Sequence, residues 1–171
     1  MKSKIYIDFD GVILDTWEVI FKKYYEKFNI TEIYEDKIKK LMLIIGWDYI
    51  LDNSKEINCS LKKIKEIGKK YDICVLTKIN SIEEQNAKIN FLQKNNIEKM
   101  CFVPYAFSKT QYADPQNNIL IDDDLKNLEE WEQQGGNSIF FNKDLLNYDS
   151  YGNKNSKFII INDLLQIYDI I

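Results

Sequence analysis

The chain has 171 residues, 45% of them hydrophobic and 29% charged, with a formal net charge of -4. That length fits one domain of ordinary size, with a core that needs no disulfide or structural metal, and the composition excludes a disordered chain. The mildly acidic balance leaves no basic stripe, which excludes duplex nucleic acid as the main partner.

In chain order, Ile5–Phe9 is the first of several short apolar runs rich in β-branched residues. From about Thr16 to Lys70 there is no strand pattern. Helical patterns run over Trp17–Phe28, Tyr34–Ile45 and Ile57–Lys70, the first opened by Asp15-x-x-Glu18 in the outline of a helix cap. Strand-like runs resume at Ile73–Leu76, Met100–Val103, Ile119–Ile121, Ile139–Phe141 and Phe158–Ile161. Ser81 to Asn96 opens on a Ser-x-x-Glu box and repeats apolar residues at Ile82, Ala87, Ile89 and Leu92. Asp124 to Gln134 is a helix stopped by Gly135-Gly136, and Asn162 caps a last short helix carrying Leu164, Leu165 and Tyr168.

Short continuous apolar strands separated by helices predict an α/β fold, a three-layer Rossmann-like sandwich around a parallel sheet with right-handed crossovers. The 16–70 stretch is too long for one crossover. It reads as a small helical cap, with residues 1–15 and 71–171 forming the core. No apolar run reaches the ~18–20 residues that span a bilayer. Asp8 falls too early for the apolar region of a signal peptide, and Cys59, Cys74 and Cys101 lack metal-like spacing. A cytoplasmic location is expected.

Two absences narrow the chemistry. The chain has no histidine, which excludes Ser-His-Asp and Cys-His catalysis and histidine metal sites, and all 23 basic residues are lysines. Any phosphate contact therefore rests on lysine, backbone N–H groups, hydroxyls or a metal, without the bidentate arginine fork.

Ligands of an open α/β sheet bind at the carboxyl ends of its strands. The first strand here ends in Asp8-Phe9-Asp10-Gly11, the second in Thr77-Lys78, and Ile119–Ile121 in Asp122-Asp123-Asp124. Lys109 follows the third strand. Asp8 and Asp10, two apart in a strand, share a face. With Asp122 and Asp123 they bring at least three carboxylates toward one point, a cluster that persists only when a cation neutralises it. Oxygen ligands alone point to Mg²⁺. Metal, lysine and hydroxyl together describe a site for a phosphoryl group. Lys78 either adds charge for phosphate or points to solvent.

These motifs, in this order, resemble the haloacid dehalogenase superfamily of phosphohydrolases: Ile-Asp8-Phe-Asp10-Gly11-Val12-Ile-Leu-Asp15-Thr16, Leu76-Thr77, Lys109 and Ile121-Asp122-Asp123. Residues 118–141 and the compact cap further resemble the 5'-nucleotidase group that acts on deoxyribonucleotides. The resemblance implies that Asp8 is the nucleophile and that Asp10 protonates the leaving alcohol and later deprotonates water. It implies a Mg²⁺ held by Asp8, Asp123 and the backbone carbonyl of Asp10, with Asp122 behind it or as an alternate ligand. Thr77 and Lys109 would bind the phosphoryl oxygens, and Gly11 would let the backbone approach phosphate.

The substrate expected is a small phosphorylated molecule, a nucleoside monophosphate first and a sugar phosphate or other metabolite second. Trp47, after Gly46, either packs the cap or stacks on a base; Trp17 belongs to an aromatic set (Phe21, Tyr24, Tyr25, Phe28) at helical spacing, with the same two readings. A receiver-like phosphate acceptor is the non-enzymatic alternative, disfavoured because its acid pair follows the first strand, whereas here the pair comes late. A phosphate-binding pseudo-enzyme is weakened because all four motif positions are filled.

Overall fold

The computed structural model describes residues 3–29, 32–144 and 157–171. Its centre is a six-stranded parallel sheet in the order β3-β2-β1-β4-β5-β6. The strands are β1 (Lys4–Ile7), β2 (Asp72–Ile79), β3 (Met100–Pro104), β4 (Ile119–Asp122), β5 (Asn137–Phe141) and β6 (Ile159–Ile161). Alternation along the strands divides the core. Ile5, Ile7, Ile73, Val75, Ile119 and Ile121 pack on one side, while Tyr6, Cys74, Leu76 and Leu120 pack with Leu128 and Trp131 on the other. Apolar side chains on both faces explain why these runs are continuous in sequence. The result is the Rossmann-like three-layer α/β architecture.

Among the described residues, four helices lie between β1 and β2: α1 (Thr16–Phe28), α2 (Glu35–Ile45), α3 (Trp47–Asn53) and α4 (Ser60–Ile67). Asp15 caps α1 by accepting from the Glu18 N–H at 3.3 Å and also takes the Lys143 ammonium. The short α3 carries no apolar period long enough to be read from sequence. The helix expected from Ile57 starts only at Ser60, because Asn58 and Cys59 take positive φ values of 48° and 56°.

The core adds α5 (Ile82–Lys94) and α6 (Leu125–Gln133). Ser81 caps α5, but the expected reciprocal bond shifts by one residue: Glu84 Oε2 accepts from the Asn80 N–H at 2.8 Å. The last helix is a 3-10 turn over Leu164–Asp169, capped by Asp163 and not by Asn162, with Gln166 reaching back to both N–H groups. None of the described helices is long and apolar enough to cross a membrane.

Candidate active site

β1 and β4 are neighbours at the centre of the sheet, where the strand order reverses, and their carboxyl ends open into one crevice. β1 stops at Ile7, short of the Phe9 expected. Asp8 and Asp10 therefore stand in the loop beyond it, and strand alternation does not place them. The Asp8 N–H still bonds the Ile121 carbonyl at 2.9 Å. Phe9 O then accepts from both Ile13 N and Leu14 N at 2.9 and 3.1 Å, turning the chain tightly at Gly11.

Gly11 has φ +77°, a conformation that opposes a side chain. It also has no room for one: a Cβ there would lie 2.0 Å from Asp123 Oδ2. Gly11 thus makes space for a carboxylate on β4's loop as well as for the turn.

Carboxylate oxygens of Asp8, Asp122 and Asp123 lie within 4.8 Å of one another. Burial, with Asp122 and Asp10 adding repulsion and Lys109 opposing, pushes the Asp8 carboxyl up to about 7. Burial and the charges of Asp8, Asp122 and Asp10 push Asp123 to about 8. Lys109 follows the Ser108 cap of a 3-10 turn. Its ammonium lies 2.7 Å from Asp8 Oδ1 and 2.6 Å from Asp122 Oδ2. Against the cost of its burial, Asp122 and Asp8 hold the Lys109 ammonium protonated.

Both carboxylate oxygens of Asp122 are engaged by the protein. Its Oδ2 takes Lys109 and the Asn127 amide (3.1 Å), and its Oδ1 takes the Asp124 N–H (2.9 Å). Asp8 and Asp123 keep free lone pairs. Asn127 of α6 is buried beside this cluster with its Oδ1 unpartnered. Two acids disfavoured as a charged pair, next to an orphaned acceptor suited to a metal-bound water, make a fit for a divalent cation with oxygen ligands.

Asp10 stands outside this cluster. The Thr16 hydroxyl donates to its Oδ1 at 2.7 Å, and Lys88 Nζ contacts its Oδ2 at 2.6 Å. Lys88 and Glu84 were not legible as site residues. Glu84 reads as the end of the Ser81 capping box and Lys88 as one more charge on the solvated face of α5, yet both are buried. The spacing of four between them, on the side of Ala87 and Leu92, is the signal that was there to find.

A cavity of about 110 Å³ covers the site. Asp8, Asp10, Lys109, Asp123 and Asn127 line it together with Trp17, Ile20, Met42 and Trp47 of α1, α2 and α3, and Lys78 of β2. Thr77 does not line it: its hydroxyl donates to the Lys78 carbonyl at 3.3 Å and meets Lys88 Nζ at 3.2 Å. Trp47 is buried with the Lys88 ammonium 4.9 Å from its ring centroid. Trp17 is half exposed and stacks on Phe21 at 5.5 Å.

No protein-family model and no curated protein matches the sequence. Solved structures do match in shape. A haloacid dehalogenase-like family hydrolase from Streptococcus pneumoniae superposes with a TM-score of 0.64 at 14% identity, over 99% of this chain and 98% of its own. The HAD-hydrolase YfnB of Bacillus subtilis, solved with bound magnesium, gives 0.62 at 12% identity over 99% and 98%.

The chain has the haloacid dehalogenase-like fold. A D,D-heptose 1,7-bisphosphate phosphatase from Burkholderia thailandensis shares this haloacid dehalogenase-like fold at a TM-score of 0.58 and 15% identity, covering 99% of this chain and 98% of its own. At such identities the likeness concerns architecture. What the haloacid dehalogenase-like fold does in this chain rests on the carboxylates and lysines described above.

Proposed function

We propose that this chain is a phosphomonoester hydrolase that acts through an aspartyl-phosphate on Asp8. The observation that carries the reading is the Lys109 ammonium bridging Asp8 and Asp122, at 2.7 and 2.6 Å, at a cavity that Asp123 also lines. A buried carboxylate oriented by a lysine, beside a second carboxylate that repels it, is suited to attack an electrophile that arrives with a cation. In this reading residues 16–70 are the cap over a core of 1–15 and 71–171.

Asp8 and Asp123 carboxylates and the Asp10 backbone carbonyl would hold Mg²⁺, with Asn127 Oδ1 free to receive a hydrogen bond from its water shell. When bound, the ion neutralises the carboxylates and the phosphoryl oxygens. A carboxylate oxygen of Asp8 forms a bond to phosphorus as the ester P–O bond breaks, and the proton on Asp10 passes to the leaving oxygen to give the neutral alcohol. In the second half, water gives a proton to the Asp10 carboxylate as its oxygen bonds to phosphorus. The bond to Asp8 then breaks and releases phosphate. Lys109 keeps Asp8 aligned and meets the phosphoryl charge, while Lys78 at the cavity adds a second positive group.

Two substrate classes remain in this reading. Residues 118–141 and the compact cap favour nucleoside monophosphates. The cavity favours something smaller: its 110 Å³ falls below the roughly 300 Å³ that drug-sized ligands occupy, so a nucleotide requires the cap helices to move apart.

The test is phosphate release from ribo- and deoxynucleoside 5'- and 3'-monophosphates, sugar phosphates, glycerol phosphate and 4-nitrophenyl phosphate, with Mg²⁺ or EDTA, for wild type and Asp8→Asn. Release that needs Mg²⁺ and is lost in Asp8→Asn is the expected result. Release that survives in Asp8→Asn removes Asp8 as the nucleophile, and no release from any compound removes the phosphatase reading.

A further inference from the structure

Lys88 is fully buried, and four acceptors surround its ammonium: Asp10 Oδ2 at 2.6 Å, Glu84 Oε1 at 2.7 Å, Thr77 Oγ1 at 3.2 Å and the Lys78 carbonyl at 3.2 Å. The rings of Trp47 and Phe9 lie 4.9 and 5.1 Å from it. A lysine ammonium has three hydrogens. Asp10 and Glu84 make the two short, charge-assisted contacts, and the Thr77 hydroxyl and the Lys78 carbonyl share the third hydrogen, which ties α5 to β2 and to the loop after β1. For Asp10 the dependence is sharper: its Oδ2 takes its protein hydrogen bond from Lys88.

Two donors on separate elements thus fix the Asp10 carboxyl, Thr16 on α1 at Oδ1 and Lys88 on α5 at Oδ2. A threonine hydroxyl both donates and accepts, so Thr16 can serve the carboxylate and the acid alike, while Lys88 holds the other oxygen in place. The carboxyl so held lies outside the cluster of Asp8, Asp122 and Asp123. Released, it is free to turn toward a cation there and leave the position from which it exchanges protons.

We infer that Lys88 is a positioning residue for Asp10, that Glu84 in turn anchors Lys88, and that the pair keeps the proton-exchanging carboxyl out of the metal cluster. This rests on the phosphatase reading above. It predicts a defect that depends on the leaving group. An alkoxide needs the proton that Asp10 delivers, whereas 4-nitrophenolate departs with little help. Loss of Lys88 therefore weakens the first half-reaction for alkyl phosphates alone.

The experiment compares wild type, Lys88→Met and the charge-balanced Lys88→Met/Glu84→Gln. The second variant guards against misfolding from an unpaired buried Glu84, and circular dichroism checks the fold of each. With saturating Mg²⁺, kcat/KM is measured for the alkyl phosphate that wild type turns over fastest in the panel above, and for 4-nitrophenyl phosphate. The expected result is a loss of about 100-fold on the alkyl phosphate, carried by kcat, against less than about 10-fold on the aryl phosphate. Equal losses on the two substrates, or none, in a folded double variant overturn the inference and leave the phosphatase reading standing. Failure of the wild type on both substrates overturns the reading and the inference with it.

Discussion

Gly11 leaves the space that the Asp123 carboxylate fills: the missing Cβ would lie 2.0 Å from Oδ2 and 2.6 Å from Cγ. Gly11→Ala therefore meets two obstacles. The φ of +77° costs roughly 1–2 kcal/mol for an L side chain, and the methyl group displaces Asp123. The variant is expected to fold with a lowered Tm and to bind Mg²⁺ at least ~10-fold more weakly, read by calorimetric titration. Unchanged affinity would mean that Asp123 does not hold the ion.

Lys109→Met leaves two buried carboxylates, Asp8 and Asp122, without their shared cation. Removing one partner of a buried ion pair costs about 3–5 kcal/mol, which urea denaturation of the metal-free protein would show. Part of that loss should return with Mg²⁺, because the ion replaces positive charge beside Asp8 but not beside Asp122, which faces Asn127 and the Asp124 N–H. A variant as stable as wild type in EDTA would contradict the pairing.

The raised carboxyls make metal-free stability depend on pH. Asp8 and Asp123 titrate near 7 and 8 when folded and near 3.8 when unfolded, so between about pH 4 and 8 the folded state binds more protons. Stability then falls as pH rises through that window, while Lys88 and Lys109 stay charged across it. The Tm in EDTA is expected to be lower at pH 8 than at pH 5.5, and the increment from Mg²⁺ larger at pH 8. A flat Tm in EDTA over this range would argue against the crowded carboxylates.

Trp47 has the Lys88 ammonium against its ring and is almost wholly buried, a core position that nonetheless borders the cavity. Trp47→Ala is expected to cost about 3–5 kcal/mol as a buried aromatic deletion. The gentler Trp47→Phe should leave the ratio of kcat/KM between a nucleoside monophosphate and a smaller phosphate ester unchanged. A selective loss of about tenfold on the nucleotide, worth about 1.4 kcal/mol, would restore base stacking as its role.

The fold was legible because its strands are short β-branched runs that both faces of the sheet bury, a pattern that survives in any order of pairing. The carboxylates at the strand ends were legible for the opposite reason: acids after apolar runs are costly unless something uses them. What stayed hidden depends on tertiary contacts. Asp10 owes its place to the turn at Gly11 and not to strand alternation. The short α3 is held by packing against its neighbours. Lys88 and Glu84 look like any exposed i,i+4 pair until α3 packs against α5, and Ile82, counted among the apolar residues of α5, is in fact exposed. Asn127 reads as helix sequence until its unpartnered oxygen is located.

The hydrogen bond from the Asp8 N–H to the Ile121 carbonyl joins residues more than a hundred positions apart. During synthesis β1 emerges before both of its neighbours in the sheet, β2 and β4, and waits for each in turn. Nothing resembling the site can form until residue 123 has left the ribosome. A chain cut short before β4 carries Asp8, Asp10 and Lys109 but lacks Asp122, Asp123 and the Asn127 amide that complete the cluster.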